Sequence, residues 1–226
     1  MAGGRGQRLS PLTDDCPKPL LQVGGNPIVE YSVRRLVKSG VKDVTFCVNY
    51  LGTMIQDHFG DGKDLEANIN YIYEPKPLGT IGGVALKEEF IFEDLLVING
   101  DLLTTINFEK FYGFYLEQDA DLAIATIPYR INLPYGILDK DSNHEVRSIK
   151  EKPSYTHYIN TGIYLMRKEM LNYIPRHQSF DAVDLIETAM QNDAKVAAFT
   201  LLDYWMDIGQ MDDYHKAQED IQFLDL

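Results

Sequence analysis

The first twenty residues combine a glycine-rich run with cationic side chains. Gly3, Gly4 and Gly6 lack a β-carbon, so their backbone N–H groups can approach one anion closely and point at it together. Arg8 adds a planar fork of donors, and Lys18 adds a compact positive charge. Three of the chain's 21 basic residues lie in its first 18 positions, although acidic residues are in excess at 34. This concentration predicts a polyphosphate-binding site, in preference to a glycine-rich turn with solvated cations.

Two common phosphate-binding motifs do not fit this run. A Walker P-loop requires a Lys-Ser or Lys-Thr pair after its last glycine, and no such pair follows here. The dinucleotide-binding pattern requires a third glycine at position 9, where this chain has Leu9. The glycine run therefore predicts a phosphate site of another kind.

One aspartate stands where a buried strand is expected to end. The apolar run from Leu95 to Asn99 is the strongest buried-strand candidate, and Gly100-Asp101 follows it directly. A helix cap or turn is the commoner role for such an aspartate. Open parallel sheets, however, bind ligands at the carboxyl ends of their strands, which places Asp101 at a ligand-binding edge.

The elements that must position these residues alternate between strands and amphipathic helices. The spacing predicts helices after Asn26-Pro27, at Gly52, after Asn107, after Asp181 and at Met211, and buried strands at Val44–Val48, Ile69–Tyr73, Leu122–Ile127 and Val196–Leu202. This alternation predicts a single α/β domain over residues 1–226. From Pro128 onward, shorter strands and frequent turns predict an antiparallel insertion.

The chain begins unusually for this fold class. An α/β domain normally opens with a strand that leads into its first glycine loop, yet here only Met1 and Ala2 precede the loop. We therefore expect the first strand to be missing from this chain, either because the chain is a fragment of a longer protein, which we favour, or because its start is misplaced. A domain that truly lacked this strand would have an unpaired gap at the centre of its sheet.

Composition excludes several classes of function. The chain has 226 residues and a formal net charge of −13, which disfavours a sequence-independent nucleic-acid binder because that role requires a basic face. No apolar run reaches the length of a membrane span. Two cysteines are too few for a disulfide framework or a zinc ribbon, so we expect a cytoplasmic protein. From the acidic charge and the lack of a long apolar run, we expect no nucleic-acid partner and no membrane partner.

Seven short motifs follow one another along the chain. They are Gly3–Thr13 with Pro17-Lys18-Pro19, then Pro77–Thr80, Asn99-Gly100-Asp101, Pro134-Tyr135-Gly136, Glu151-Lys152-Pro153, Asn160-Thr161-Gly162 and Trp205–Gly209. In this order they resemble the motifs of the sugar-1-phosphate nucleotidylyltransferases. Each motif alone is weak, but the ordered set covers nearly the whole chain and is highly specific.

The resemblance implies a fold and a reaction. The fold is a doubly wound, mostly parallel, Rossmann-like sheet of the nucleotide-diphospho-sugar transferase type with a small antiparallel sugar-binding insertion. In the reaction, a sugar 1-phosphate attacks the α-phosphorus of a nucleoside triphosphate and pyrophosphate leaves. Because the second pKa of a phosphate monoester is about 6, the attacking oxygen is already largely deprotonated and needs no general base. Catalysis is therefore positioning and charge neutralisation.

The resemblance also assigns roles to residues. It makes Arg8, Lys18 and Asp101 catalytic, and Asp101 and Asp207 ligands of Mg²⁺. The nucleotide would contact Ala2, Gly3, Gly4, Gly6, Pro77, Gly79, Thr80 and Gly100, mainly in residues 1–127. The sugar phosphate would contact Gly136, Glu151, Lys152, Asn160, Thr161 and Gly162, mainly in residues 128–210, with a C-terminal helix over residues 211–226.

The base and the sugar are less strongly indicated. The Pro77–Thr80 segment resembles the guanylyltransferase branch, which acts on mannose, heptose or glucosamine 1-phosphates, and so favours GTP. A uridylyl- or cytidylyltransferase and a non-catalytic, nucleotide-sugar-sensing subunit are the alternatives. A homo-oligomer and an N-terminal regulatory module, which some relatives carry, are both compatible with the sequence.

Overall fold

The computed structural model describes residues 1–87 and 89–226, and it has an α/β fold. The helices are α1 (Ile28–Lys38), α2 (Gly52–Phe59), α3 (Phe108–Glu117), α4 (Ala182–Gln191) and α5 (Met211–Asp220). The strands are β1 (Gln22–Val23), β2 (Asn26–Pro27), β3 (Asp43–Val48), β4 (Asn68–Tyr73), β5 (Asp94–Ile98), β6 (Leu102–Thr104), β7 (Leu122–Asn132), β8 (Ile137–Lys140), β9 (Val146–Lys150), β10 (Ser154–Arg167), β11 (Val196–Thr200) and β12 (Trp205–Asp207). In the described residues, no helix is both long and apolar enough to cross a bilayer.

Two helices begin at the side-chain caps that the sequence predicts. The Asn107 side chain accepts a hydrogen bond from the Lys110 backbone nitrogen at 2.9 Å and starts α3. At α4, the Asp181 side chain accepts from the backbone three residues on, and the Asp184 carboxylate accepts from the Asp181 backbone nitrogen at 2.9 Å. These caps satisfy N–H groups that the helices themselves leave unpaired.

The central sheet is mixed rather than wholly parallel. Four strands lie in the order β11-β7-β10-β5, with β11 parallel to β7 and β10 antiparallel to both of its neighbours. Strands β3 and β4 form a separate parallel pair. The direction of β10 follows from its connection, because β7 runs outward, the chain turns through β8 and β9, and β10 returns beside β7.

Apolar side chains cover both faces of this sheet. Along β5, Leu95 and Val97 pack into a cluster with Leu185 of α4, whereas Leu96 and Ile98 pack against a cluster on the opposite face. That second cluster includes Phe111 of α3. The alternation confirms β5 as a buried strand and fixes the edge at which Asp101 emerges.

The predicted insertion lies outside this core. The outer halves of β7 and β10 pair as a two-stranded ribbon, from Ser154 opposite Asn132 to Ile159 opposite Ile127. The antiparallel β8–β9 pair extends from the ribbon, and nearly all of its residues are exposed.

A gap separates β3 from β5. These strands do not pair with each other in the described residues. Met1 and Ala2 bridge the two segments: the Ala2 nitrogen donates to the Cys47 oxygen of β3 at 2.9 Å, and the Gly100 nitrogen, after β5, donates to the Met1 oxygen at 2.7 Å.

Candidate active site

One buried lysine joins two aspartates that are far apart in the sequence. The Lys18 Nζ atom donates to Asp101 Oδ2 at 2.5 Å and lies 3.6 Å from Asp207 Oδ1. The side chains of Lys18, Asp101 and Asp207 are 11%, 28% and 49% exposed, respectively. The cluster therefore opens to solvent on its carboxylate side while the ammonium group lies beneath.

A short pair of strands brings the two aspartates together. Strand β12 pairs antiparallel with β6, with Asp207 opposite Leu102. The Ile208 nitrogen then donates to the Asp101 backbone oxygen at 3.1 Å. Sequence reasoning placed Asp207 beside Asp101 only through the family resemblance, because the two-strand pairing of β6 with β12 has no strong local signal.

The cluster carries more negative than positive charge. Burial and the nearby Asp101 carboxylate raise the pKa of Asp207 above its usual range, although Lys18 and Arg8 act in the opposite direction. The second oxygen of Asp101, Oδ1, is buried and has no hydrogen-bond partner in the described residues. A buried, unpaired carboxylate oxygen is costly, so the site fits a further cation at this point.

The residues present suit a hard divalent cation that substrate also coordinates. Asp101 and Asp207 offer carboxylate oxygens, which Mg²⁺ prefers. Within residues 1–87 and 89–226, no group of three or more His, Cys, Asp or Glu side chains is placed to hold a metal. Mg²⁺ typically keeps several waters and takes phosphate oxygens beside one or two carboxylates, which matches a two-aspartate set.

The glycine loop folds directly onto this cluster. Gly6 has a left-handed backbone with φ of 61°, and a Cβ there would lie 3.0 Å from Thr13 Cγ2 and 3.1 Å from Lys18 Cβ. The Thr13 hydroxyl donates to the Gly6 oxygen at 2.9 Å. At Gly4, by contrast, no described atom lies within 4 Å of an added Cβ, so the loop has open space on that side.

Arg8 approaches the Lys18–Asp101–Asp207 cluster from the glycine loop. It lies in a single 3₁₀ turn, Gln7–Leu9, and its Nη2 atom is 3.8 Å from the position of a Cβ at Gly209. Gly209 follows Asp207 by two residues, so the Arg8 guanidinium lies beside the segment that carries the second carboxylate. The structure thus brings Arg8, Lys18, Asp101, Asp207 and the glycine loop close together, and the catalytic and metal-binding roles expected for them stay predictions.

A further carboxylate that sequence reasoning missed faces the loop. The Glu74 Oε1 atom is 3.5 Å from the position of a Cβ at Gly3, and it would clash with one at Gly83. The other oxygen, Oε2, accepts from the Leu78 nitrogen at 3.1 Å. Burial raises the pKa of Glu74. Its position after β4, at the same sheet edge as Asn49 after β3, is the signal that could have found it.

The Pro77–Thr80 segment is anchored on the start of α4. The Thr80 nitrogen donates to Asp181 Oδ1 at 2.7 Å, and the Ala182 nitrogen donates to the Thr80 hydroxyl at 2.8 Å. Gly79 has φ of 77°, and a Cβ there would lie 2.6 Å from the Phe180 oxygen. Pro77 and Gly79 are exposed. The structure therefore gives Thr80 a capping role, and nucleotide contact by this segment stays a prediction.

Two of the predicted sugar-phosphate residues meet on the insertion. A Cβ at Gly136 would lie 2.8 Å from Glu151 Oε2, because β8 and β9 pair with Ile137 opposite Lys150. Lys152 follows with a left-handed backbone at φ of 44°. Glu151 and Lys152 are both exposed, so their side chains are free to meet a ligand from solvent.

The Asn160-Thr161-Gly162 motif forms an irregularity in β10. The β7–β10 register shifts between Asn160 and Tyr164, and Asn160 Oδ1 accepts from the Gly162 nitrogen at 2.9 Å. Gly162, at φ of 76°, packs so closely on Asn99 that a side chain there would clash. The motif thus contacts the Asn99-Gly100-Asp101 turn.

Thr161 serves the sheet rather than the cleft. Its hydroxyl donates to the Ala125 oxygen at 2.7 Å and its side chain is buried. The indole nitrogen of Trp205 donates to the Thr161 oxygen at 2.9 Å. These contacts tie the motif to β7 and β12, and a direct contact between Thr161 and a sugar stays a prediction.

The chain matches one protein family and several named relatives over nearly all of its residues. The model of the nucleotidyl transferase family matches residues 1–223. A mannose-1-phosphate guanylyltransferase of Mycobacterium tuberculosis is 28% identical over 98% of this chain, and a UTP–glucose-1-phosphate uridylyltransferase of Synechocystis is 29% identical over 96%. The chain spans only 63% and 61% of the length of these two relatives.

Two further relatives match along nearly their whole length. A D-glycero-α-D-manno-heptose 1-phosphate guanylyltransferase of Aneurinibacillus thermoaerophilus is 32% identical over 98% of this chain and 96% of its own. The crystal structure of HddC from Yersinia pseudotuberculosis, complexed with GMP-PN, is 29% identical. It covers 97% of this chain and 96% of its own with a TM-score of 0.74, which confirms the predicted fold class.

Proposed function

The chain belongs to the nucleotidyl transferase family, and from this premise we propose that it transfers a nucleotidyl group from a nucleoside triphosphate to a sugar 1-phosphate. The products are a nucleoside diphosphate sugar and pyrophosphate. The observation that carries the proposal is the contact of Lys18 with both Asp101 and Asp207 beneath the glycine loop. It gathers positive charge, metal-ligating oxygens and free backbone donors at the carboxyl end of β5, where an open sheet binds its ligand.

The side chains divide the charge neutralisation between them. The sugar phosphate and the triphosphate are both anions, so their mutual repulsion is the main barrier to attack on the α-phosphorus. Lys18, held by Asp101, places its ammonium against the α-phosphate as negative charge shifts there. Arg8 and the N–H groups around Gly4 and Gly6 bind the β- and γ-phosphates and stabilise the leaving pyrophosphate.

The proposal includes Mg²⁺, held by Asp101 and Asp207. The unpaired Asp101 Oδ1 atom supports this assignment, because a cation there would satisfy it. When bound, Mg²⁺ neutralises charge on the phosphate oxygens. Asp101 and Asp207 would hold the metal through their carboxylate oxygens, and Lys18 donates to Asp101 Oδ2.

Guanine is the proposed base, and Glu74 supports it. Guanine presents two adjacent donors, N1–H and the N2 amino group, which one carboxylate can accept together. Uracil presents a single N3–H between two carbonyl oxygens, and a carboxylate would repel both. Since the Glu74 carboxylate lies beside Gly3 and Gly83, it favours GTP over UTP.

Sugar selection is assigned to the insertion. Glu151 would accept hydrogen bonds from sugar hydroxyls, and the absence of a side chain at Gly136 leaves room beside it. Lys152 would bind the sugar phosphate, with Gly162 against Asn99 and Asn160 accepting a hydrogen bond from the Gly162 nitrogen. Mannose and heptose 1-phosphates are the first candidates. The two cysteines, Cys16 and Cys47, are free, which suits the cytoplasm as the site of the reaction.

Pyrophosphate release across a panel of substrates tests the proposal. GTP, UTP, CTP and dTTP are each combined with mannose, glucose, glucosamine and heptose 1-phosphates in the presence of Mg²⁺. We expect release with GTP and at least one of these sugars. Release with no pair from folded protein would reject the reaction, and calorimetric binding of a nucleotide sugar without turnover would favour the sensing alternative.

The base assignment has its own test in Glu74→Gln. The amide keeps the shape of the side chain but turns one acceptor into a donor, so it should oppose guanine. We expect the ratio of kcat/KM for GTP to that for UTP to fall about tenfold or more. Glu89→Gln, which alters a carboxylate away from the loop, is the control, and an unchanged ratio in Glu74→Gln would remove Glu74 from base recognition.

A further inference from the structure

Asp207 occupies the last position of β12, where the strand pairing stops. It lies opposite Leu102 of β6 at the end of the register between the two strands. Its side chain is 49% exposed, and its ion-pair partner, the Lys18 Nζ atom, lies 3.6 Å from Asp207 Oδ1. Since side-chain rotamers depend on the local backbone dihedrals, the direction of this carboxylate depends on the turn that follows β12.

This turn connects the backbones of both proposed metal ligands. The Gly209 nitrogen donates to the Asp207 backbone oxygen at 2.9 Å, which makes the turn tight. The Ile208 nitrogen donates to the Asp101 backbone oxygen at 3.1 Å. The Ile208 side chain is fully buried in one apolar cluster with Ala217 of α5. The turn is therefore attached to the core on one side, through Ile208.

Asp213, in the first turn of α5, holds the other side of the same turn. Its Oδ2 atom accepts from the Gly209 nitrogen at 3.1 Å and from the Gln210 nitrogen at 3.0 Å. The Gln210 side chain accepts in return from the Asp213 backbone nitrogen, which completes a capping box. Hydrogen bonds to a carboxylate are stronger than those between neutral groups. One side chain thus fixes two consecutive N–H groups of the turn after Asp207.

Two other residues of the chain each share one property with Asp213. Asp212 carries the same charge in the same helix turn, but it is exposed, and in the part of the chain that the structure describes its carboxylate makes no hydrogen bond or ion pair. Asn107 caps a helix as Asp213 does, by accepting from the Lys110 nitrogen at 2.9 Å, but it caps α3. These two residues separate the charge and the cap from the hold on the turn.

We propose that Asp213 is a positioning residue for the metal site: by holding Gly209 and Gln210, it sets the direction in which the Asp207 carboxylate points. The proposal rests on the proposed function, in which Asp101 and Asp207 bind Mg²⁺. Asp213 acts through the two N–H groups of the turn and not as a metal ligand. Its role requires an acceptor oxygen at this position rather than a negative charge. Groups that orient metal ligands in this way typically change metal affinity about 10–100-fold when they are lost.

Four variants of the full chain test this proposal with a readout that does not depend on turnover. They are Asp213→Ala, Asp213→Asn, Asp212→Ala and Asn107→Ala. Mn²⁺ replaces Mg²⁺ as a paramagnetic probe, and its Kd is measured by electron paramagnetic resonance with one equivalent of a non-hydrolysable GTP analogue present. The Tm without metal is measured for each variant, together with kcat and the KM for the sugar 1-phosphate in Mg²⁺.

Asp213→Ala should raise the Kd for Mn²⁺ about tenfold or more and lower kcat, with the KM for the sugar 1-phosphate unaltered. Asp213→Asn should keep the Kd within about threefold of wild type, because the amide oxygen can accept the same two hydrogen bonds. Asp212→Ala should leave the Kd unchanged. Asn107→Ala should lower Tm by a few degrees, as Asp213→Ala does, and also leave the Kd unchanged.

Three results would overturn the positioning role of Asp213. They are an unchanged Kd in Asp213→Ala, a rise of the same size in Asn107→Ala, and a loss in Asp213→Asn as large as in Asp213→Ala, which would assign the effect to charge. Wild-type protein that binds no Mn²⁺ beside the GTP analogue would reject the metal site of the proposed function, and this proposal with it. Wild-type binding combined with any of the first three results would reject the positioning role alone.

Discussion

The two halves of the proposed site differ in how firmly the fold holds them: the Lys18–Asp101–Asp207 cluster lies beneath the glycine loop, and the sugar-phosphate residues lie on the antiparallel insertion. Lys18, Asp101 and Asp207 come from three separate segments, and Lys18 is buried beneath them. Gly136 and Glu151 flank one exposed strand pair, β8 and β9, just before β8 begins and just after β9 ends. A charge cluster fixed by the core suits chemistry that tolerates little displacement, whereas an exposed hairpin can vary its side chains at little cost to the fold.

The largest effect is expected where the two regions differ most, at Lys18. Lys18→Ala removes the only side-chain cation found in contact with both aspartates in the described residues, so kcat should fall about 10²–10³-fold. Lys110→Ala, an exposed lysine on α3, is the matched control and should leave kcat unchanged. Steady-state pyrophosphate release measures both variants, with circular dichroism as the check of folding. Wild-type turnover in Lys18→Ala would show that the cluster is structural.

Asp101→Asn tests whether the Lys18–Asp101–Asp207 cluster acts through bound Mg²⁺. The amide still accepts from Lys18 but loses its charge for Mg²⁺, so activity at saturating substrate should fall about 10²-fold or more. The Mg²⁺ concentration needed for half-maximal activity should rise with it. Asp61→Asn, a surface aspartate paired with Lys63, is the control and should change neither quantity. An unchanged Mg²⁺ dependence in Asp101→Asn would contradict the metal assignment.

Glu151→Gln should act on binding rather than turnover. Loss of a charged acceptor for sugar hydroxyls should raise the KM for the sugar 1-phosphate about tenfold and leave the KM for GTP unaltered. Glu145→Gln changes another exposed glutamate near the same hairpin and serves as control. If Glu151→Gln instead lowers kcat as much as Lys18→Ala does, the division between the two regions is wrong.

The smallest expected effect is a change in the Tm of Asp207→Asn, and its sign shows whether the Asp207 carboxylate stabilises the fold. Burial raises the pKa of Asp207 in the folded state, so its ionisation lowers stability as pH rises through that pKa. Asp207→Asn removes this cost, and Tm at pH 7 without Mg²⁺ should rise by no more than about 2 °C while activity is lost. A clear fall in Tm would mean that the Lys18–Asp207 pair stabilises the fold.

Sequence patterns predicted the local elements more reliably than the contacts between them. Asn107 and Asp181 begin their helices as expected because caps depend on neighbouring residues. The antiparallel direction of β10 and the pairing of β12 with β6 depend on connections across the fold, and no local pattern specifies them. The meeting of Asp101 with Asp207 could be expected only from the family resemblance.

The direction of individual side chains explains the remaining differences between the predicted site and the contacts in the structure. The motif that contains Thr161 was identified, but its hydroxyl points to Ala125 inside the sheet. Thr80 likewise caps α4 through Ala182. Glu74 was overlooked because one carboxylate before Pro75 has no motif of its own, and only the fold places it against Gly3. Motifs thus located the segments of the site, while the partners of each side chain required the structure.

The most direct test of the central claim is a crystal structure of the folded chain with a non-hydrolysable GTP analogue and Mg²⁺. We predict the β- and γ-phosphates on the glycine loop beside Arg8, the α-phosphate against Lys18, and the metal bound by Asp101 and Asp207. A nucleotide bound away from the loop, or a metal that touches neither aspartate, would contradict the account.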